Sequence, residues 1–514
     1  MTQAETLDTA PAVDVSAGAC NGHSSIPNGT TPHVNGNGAG YTNGHANGNG
    51  ANGHSGDSAA VHTASEDDEA LDDEEHEMFP EDMSLRIMGI GVQYPPFRIL
   101  PADLQAIAEK YYPQTPSMKK VLSINRYTGI DARCSIGEPA HPLANQPSAP
   151  TITQLHDTFM EHGVPLATSA CRAALQDAGY PASAITHSVF TTCTDSANPG
   201  YDVFVLQNLG ARTSVEKVLL HGVGCAGGLT ALRTACNIAL GAKARGRRAR
   251  VLVCATEICT VLVRSELDSI VAEDSVRIGI TLFSDCSSAV VVSNGVGEEV
   301  GGRGVYDVLG WKHDIVRDSE KELGFDVDPL GWKVILTPKV PQITSTATSP
   351  LYKSLLSSIP SSVLSTLSPT GSIAPRDLDW ALHPGGSLIL TALEKKMGLS
   401  PSQLRASYEV YTTFGNSSSA TAFSVMDRLR SQTEAGVAGE GSVYGPGIGV
   451  SGGRKGVLGC AFGPGVSLEM VLLRRVDGDD RVSGHSNGEG DGSGAIGEVV
   501  DGVQRVRVGG EELD

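Results

Sequence analysis

From about residue 84 onward, apolar residues recur in short blocks whose spacing switches between that of strands and that of helices. Residues 85–92 read as a first strand, followed after Pro101 by a helix over Ala102–Tyr111 and a second helical stretch around Met118–Leu122. Residues 150–178 read as one long helix with Leu166, Ala170 and Leu175 on its apolar face. The chain then alternates. Ser188–Cys193 is a strand, Phe204–Leu209 a short helix, Val215–Leu220 a strand, Leu229–Ala242 a helix and Arg250–Thr256 a buried strand. This alternation predicts an α/β protein.

The second half echoes the first. One helix opens at Gly224-Cys225-Ala226-Gly227-Gly228, another at Gly415-Asn416-Ser417-Ser418-Ser419. Each half later has a Phe-containing turn before an alternating strand: Phe283 before Ser288–Val292, and Phe462 before Val466–Leu473. Two duplicated halves would bring the two helix starts together, with Cys225 and Asn416 facing one cavity.

Composition separates this core from its ends. Of the 514 residues and a net charge of -20, residues 1–83 hold no Lys or Arg and carry -15, and residues 477–514 carry -7. The core is therefore nearly neutral, and the acidity says nothing about repelling anionic substrates. The first 83 residues are rich in Asn, Gly, His and Ser and lack the apolar density to repay ordering, so 1–83 and 477–514 are expected to be disordered tails. Between them, 84–296 and 297–476 are the two expected halves. The Gly-rich stretch 431–456 reads as a surface insertion. No signal peptide and no apolar run of transmembrane length is seen, and the ten cysteines lack a paired framework spacing, so a reduced, cytoplasmic protein is expected. The basic run Lys243–Arg250 reads as a solvated helix end. It lacks the interleaved aromatics of a nucleic-acid surface.

The chemistry centres on Cys225. It lies on a strand-to-helix turn flanked by glycines, where another molecule can approach the backbone. Free N–H groups and the helix dipole there favour thiolate. A buried, inert cysteine is the alternative. His383 ends a short apolar strand before Pro384-Gly385-Gly386, and taken alone it is as compatible with a structural histidine. Asn416 alone is compatible with a helix N-cap. The three together, each at a strand end or helix start, point to a catalytic constellation.

These residues carry a resemblance. Gly224-Cys225-Ala226-Gly227-Gly228, Leu382-His383-Pro384-Gly385-Gly386, Phe414-Gly415-Asn416-Ser417-Ser418-Ser419 and Ala461-Phe462-Gly463-Pro464-Gly465 resemble the motifs of type III polyketide synthases, the chalcone and stilbene synthase family, over roughly residues 85–475. The tails and the stretch Asn125–Asp131 resemble its fungal and bacterial branch. The resemblance implies the thiolase fold, two duplicated α/β halves in an αβαβα layering. It implies Cys225, His383 and Asn416 as the catalytic triad, with an imidazolium at His383 helping to hold Cys225 as thiolate. It implies Phe283 as the aromatic guarding the tunnel and Phe462 as a shaper of the cyclisation cavity. Ser418, Cys259 and Leu262 would line the substrate pocket, Lys119 and Arg126 would hold coenzyme A phosphates, and Asn198 would reach across a homodimer interface.

The implied activity is repeated decarboxylative condensation of malonyl-CoA onto an acyl-CoA starter, expected to be fatty acyl, followed by cyclisation to a pyrone, alkylresorcinol or resorcylic acid. No metal or redox cofactor is implied, only CoA thioesters as substrates. Two departures stand out. Ala461 occupies a glycine position of the family motif. Cys259 and Leu262 stand where plant enzymes usually carry Thr, and the bulk of Leu262 argues against a coumaroyl pocket. The alternatives are a ketoacyl-carrier-protein synthase III-like enzyme making a single condensation and a non-catalytic acyl-CoA-binding homologue. A papain-like protease would need a different cysteine context, which is absent.

Overall fold

The computed structural model describes residues 78–298, 304–328, 331–431 and 453–476. Most of both expected tails and of the Gly-rich stretch 431–456 lies outside them. The fold starts earlier than the expected boundary at residue 84. The Phe79 N–H donates to the Ser358 carbonyl at 2.8 Å, its ring meets Trp311 edge-on at 4.8 Å, and Met83 is buried in the core. Phe79 and Met83 are apolar residues in an acidic stretch, and their burial repays ordering it.

The strands are β1 Arg86–Gln93, β2 Phe97–Ile99, β3 Arg133–Ser135, β4 His187–Thr191, β5 Glu216–Leu220, β6 Arg250–Ile258, β7 Asp285–Ser293, β8 Tyr306–Ile315, β9 Leu323–Asp328, β10 Gly331–Leu336, β11 Asp379–Leu382, β12 Gly456–Gly463 and β13 Ser467–Arg475. Nine of them form one mixed sheet in the order β11-β12-β13-β8-β1-β7-β6-β4-β5. The duplication is visible in the pairing. In the first half β4 runs parallel to β6, β6 antiparallel to β7, and β7 antiparallel to β1. In the second, β11 runs parallel to β12, β12 antiparallel to β13, and β13 antiparallel to β8. The halves join through a short antiparallel seam, Arg86↔Asp307 and Ile87↔Tyr306.

Apolar residues on consecutive strand positions show why the protein is layered. Along β6, Val251, Val253 and Ala255 belong to one core while Leu252 and Cys254 belong to another. Along β13, Val471 and Leu473 face the first core while Leu468, Met470 and Leu472 face a third. Strands buried on both faces need helices on both. Helix Val164–Ala178 covers the outer face of the first half, and Val340–Ser357 with Ser387–Met397 covers that of the second. The two equivalent helices Gly227–Ala244 and Thr421–Ser431 share the central core, through Leu232, Ala235, Phe423 and Met426. This is the αβαβα layering of the thiolase fold. Each fully buried aliphatic side chain contributes about 1.5–3 kcal/mol, and the central core is where the two halves share that contribution.

One predicted helix is broken. Residues 150–178 form Ile152–Thr158, a wide turn Phe159–Gly163 and then Val164–Ala178. Pro165 has no N–H for the helical ladder and Gly163 tolerates the irregular turn, so the apolar periodicity continues while the hydrogen bonding does not. Among the described residues no helix is long and apolar enough to cross a membrane.

Candidate active site

Cys225 sits in a single 3-10 turn, Gly224–Ala226, that leads into the central helix Gly227–Ala244. Its glycine neighbours are steric requirements. Gly224 has φ +53°, and a Cβ there would stand 2.6 Å from the Pro464 ring; a Cβ on Gly228 would stand 2.4 Å from the Ser419 carbonyl. The second half therefore presses directly against the nucleophile turn. That contact brings Ser418 Oγ to 3.4 Å from Cys225 Sγ.

Asn416 is not a helix cap. It bridges to Phe283, accepting from Ser284 N–H at 2.9 Å and donating its own N–H to Leu282 at 3.0 Å; the helix begins only at Thr421, after a 3-10 turn Ser418–Ala420. Its side-chain oxygen accepts from Ser418 N–H at 2.8 Å, and its amide nitrogen donates to the Gly385 carbonyl at 3.2 Å. The amide is thus held in one orientation with one N–H left to donate.

His383 follows β11 directly and is fixed by its backbone N–H to the Cys460 carbonyl at 2.8 Å. It is 1% exposed, yet neither ring nitrogen has a hydrogen-bond partner among the described residues. A buried imidazole without a partner is costly and is retained where another molecule supplies the partner. Burial pushes its pKa down to about 4.

Cys225 is shifted the other way. Enclosure pushes its thiol up to about 11; Ser418 opposes the rise and buried Glu257 adds to it. Both shifts favour the uncharged form, a thiol at Cys225 and a neutral imidazole at His383, where the helix start favoured thiolate and the resemblance implied imidazolium. Desolvation penalises both charges, and one turn of helix dipole does not overcome it.

Sequence reasoning missed Glu257 and Cys193. Glu257, fully buried at the end of β6, accepts from Cys193 N–H at 3.1 and 3.2 Å, from Cys193 Sγ at 3.2 Å, and from the hydroxyls of Thr194 and Ser419. Cys193 Sγ lies 3.6 Å from Ser418 Oγ, so that one hydroxyl contacts both thiols. An acidic residue near the end of a strand that is apolar from Val251 to Ala255 was the available signal.

The cavity beside Cys225 is lined by Cys193, Cys259, Leu262, Phe283, Ser418 and Pro464 among others. Five expected positions therefore share it: Cys225, Phe283, Ser418, Cys259 and Leu262. Phe462 does not. It is buried with Leu458 and Cys460 on the outer face of β12, because alternation turns it away from the central layer. Pro464, two residues later, lies on the cavity wall. Ala461 faces the central core without a strained backbone, so its methyl group is accommodated. Lys119 and Arg126 lie on the exposed face of helix Pro116–Arg126 and off the cavity wall, with Arg126 bound to Gln105 at 2.7 Å. Asn198 is exposed.

Comparison with known proteins agrees with this geometry. The profile for chalcone and stilbene synthases, N-terminal domain, matches residues 119–296, and that for the C-terminal domain matches 316–477. A type III polyketide synthase, pspB, of Penicillium soppii is 37% identical, over 77% of this chain and 97% of its own. The acylalkylpyrone synthase csyB of Aspergillus oryzae is 35% identical, over 76% of this chain and 94% of its own. The solved type III pentaketide synthase of Neurospora crassa is 52% identical, with a TM-score of 0.71, over 76% of this chain and 100% of its own. CsyB solved with CoA-SH has 34% identity and a TM-score of 0.70, over 76% of this chain and 100% of its own. The chain belongs to the chalcone and stilbene synthase family and is a condensing acyltransferase of its fungal type III polyketide synthase branch.

Proposed function

We propose that this protein loads an acyl group, fatty acyl by preference, from its CoA thioester onto Cys225, extends it repeatedly with malonyl-CoA, and cyclises the chain to a pyrone, alkylresorcinol or resorcylic acid. The observation that supports this reading is His383, a buried imidazole whose two nitrogens have no partner among the described residues, on a turn tied through Gly385, Asn416 and Ser418 to Cys225. An acyl carrier needs a base at its thiol, and the extender needs a donor at its thioester oxygen. One imidazole serves both in turn.

In the loading step neutral His383 takes the Cys225 proton as sulfur attacks the thioester carbon. The CoA thiolate leaves and takes that proton back. In the extension step the malonyl C–C bond to the carboxylate breaks, CO2 departs, and the electron pair moves into an enolate. The remaining Asn416 N–H and a His383 N–H stabilise its oxygen, each such donor worth roughly 3–4 kcal/mol. Phe283 offers the carboxylate an apolar wall, which favours its loss as neutral CO2. The enolate carbon then attacks the acyl-Cys225 carbonyl and expels the Cys225 thiolate. The lengthened chain, now on CoA, returns to Cys225.

The apolar lining of the cavity, including Ile99, Leu104, Ile107, Val261 and Leu262, supports a hydrocarbon starter. Lys119 and Arg126 would meet the CoA phosphates from the exposed helix face, and the exposed Asn198 loop would meet the second copy of a cytoplasmic homodimer. Mass spectrometry of products from malonyl-CoA and acyl-CoAs of increasing length tests the reading. Cys225→Ala abolishes all product, and Asn416→Ala cripples malonyl decarboxylation. A single condensation only, on a carrier protein only, overturns it.

A further inference from the structure

The polar groups on the cavity wall are nearly all accounted for by the protein itself. Arg133 donates to the Ile280 carbonyl at 2.6 Å, Ser135 pairs with Thr260 at 3.2 Å, and Thr260 is also held by Asp285. Glu266 differs. It projects from helix Val263–Glu273, is 2% exposed, and lines the cavity that Cys225 also lines. One carboxyl oxygen accepts the Val334 N–H at 2.9 Å, which ties hairpin β9–β10 to the helix. The other, Oε2, is buried and has no hydrogen-bond partner among the described residues.

Leaving a buried carboxyl oxygen unpaired is expensive. An aliphatic residue would line an all-hydrocarbon tunnel without that cost. The neighbouring wall is otherwise apolar, with Leu104, Ile107, Val263, Ile280 and Val334. What fits there is a hydrocarbon chain bearing one hydrogen-bonding group. Burial, opposed by the Val334 N–H and Arg277 and reinforced by Glu273 and Asp328, pushes the Glu266 carboxyl up to about 7. Near neutrality it is thus present both as acceptor and as donor. A hydroxyl can pair with either form, whereas a second carboxylate or a ketone can pair with only one.

We propose that Glu266 is a specificity residue whose free oxygen hydrogen-bonds a hydroxyl group on the hydrocarbon part of the starter, so that hydroxylated acyl-CoAs are the preferred starter class. The inference rests on the proposed loading of acyl groups onto Cys225. The same carboxyl both anchors the hairpin and reads the chain.

The test is competitive loading of the full-length protein with equimolar plain and hydroxylated acyl-CoAs of equal length, the hydroxyl moved along the chain in steps, with acyl-Cys225 read by intact-protein mass spectrometry. With the hydroxyl at the matching position, wild type loads the hydroxyacyl group about tenfold more, the size of one hydrogen bond to an otherwise unpaired buried group. Glu266→Gln, which keeps an acceptor for Val334 N–H, retains the preference. Glu266→Leu reverses it toward the plain chain. A ratio near one in wild type at every hydroxyl position overturns the proposal, and this needs no variant to fold. An unchanged preference in Glu266→Leu overturns it as well. Loading of plain chains with product formation, but without a hydroxyl preference, sinks this proposal and leaves the synthase reading intact. Failure of any chain to load Cys225 sinks both.

Discussion

Cys225 Sγ lies 3.4 Å from Ser418 Oγ, a contact between the nucleophile turn of one half and the asparagine turn of the other. Ser418 holds φ at +47°, a left-handed value unusual outside glycine, and its N–H is clamped by the Asn416 side chain. The strained serine thus links the Cys225 thiol to the Asn416 amide.

Replacing Ser418 separates the hydroxyl from the backbone. Ser418→Gly keeps the left-handed turn and removes the hydroxyl, so it slows Cys225 alkylation at fixed pH by about fivefold, one ordinary hydrogen bond. Ser418→Ala loses the hydroxyl too but keeps the Cβ, and with it the roughly 1–2 kcal/mol of left-handed strain that Ser418→Gly relieves. Thermal unfolding distinguishes the two. Equal alkylation rates in wild type and Ser418→Gly refute the contact.

The pH dependence follows from the two opposite shifts. With Cys225 near 11 and His383 near 4, the substrate-free thiol gains alkylation rate steadily as pH rises through the neutral range. An ion pair would show a plateau there instead. Stability has the corresponding sign. His383 is neutral in both states above its ordinary value of 6.5; below that the unfolded chain binds a proton that the fold refuses until about 4, so stability falls as pH drops through this window. His383→Gln abolishes that share of the acid loss in denaturant titrations.

Asp379 is the buried carboxylate on which three arginines converge. Arg405 contacts both its oxygens at 2.7 and 3.0 Å, Arg454 reaches it at 3.0 Å and Arg475 at 2.9 Å. Asp379→Ala leaves the buried Arg405 guanidinium uncompensated and costs about 3–5 kcal/mol, measured by chemical unfolding. These arginines hold its carboxyl below the usual range. The stabilisation is full above the unfolded value and is lost as pH falls through the lower folded one.

Leu262 and Cys259 line the cavity beside Cys225, where the proposed function puts the starter. Leu262→Ala shifts product distributions toward longer or bulkier starters and costs about 2–5 kcal/mol of stability, since Leu262 is 4% exposed and packs in the outer core of the first half. Cys259→Phe narrows the same wall and shifts products toward short starters. Mass spectrometry of mixed-starter reactions reads both, and an unchanged distribution in both variants removes these residues from specificity.

The strands and the duplication were legible because they rest on local pattern. Val251, Val253 and Ala255 alternate with Leu252 and Cys254 in the sequence itself, and the fold needs only that period to layer helices on both sides. Cys225, His383 and Asn416 could be singled out because turns at a helix start and at a strand end each need particular glycines and prolines. The break at Pro165 was not, because a wide turn keeps apolar residues facing the core while the ladder changes. Glu266 and Val334 are 68 residues apart, and no periodicity connects them.

The sequence by itself determined the layered α/β fold and the paired halves, since these depend on periodicity, and it singled out Cys225, His383 and Asn416 through turn chemistry carried by adjacent residues and through a family resemblance. Only the tertiary structure decided their charge states and surroundings. Whether a thiol is lifted by enclosure or lowered by a helix dipole depends on what closes over it, and here the closing wall comes from Ser418, Pro464 and buried Glu257, remote in the chain. Desolvation is a property of packing, and so the uncharged Cys225 thiol and His383 imidazole, the inward Pro464 and the unpaired Glu266 oxygen emerged only when the halves met.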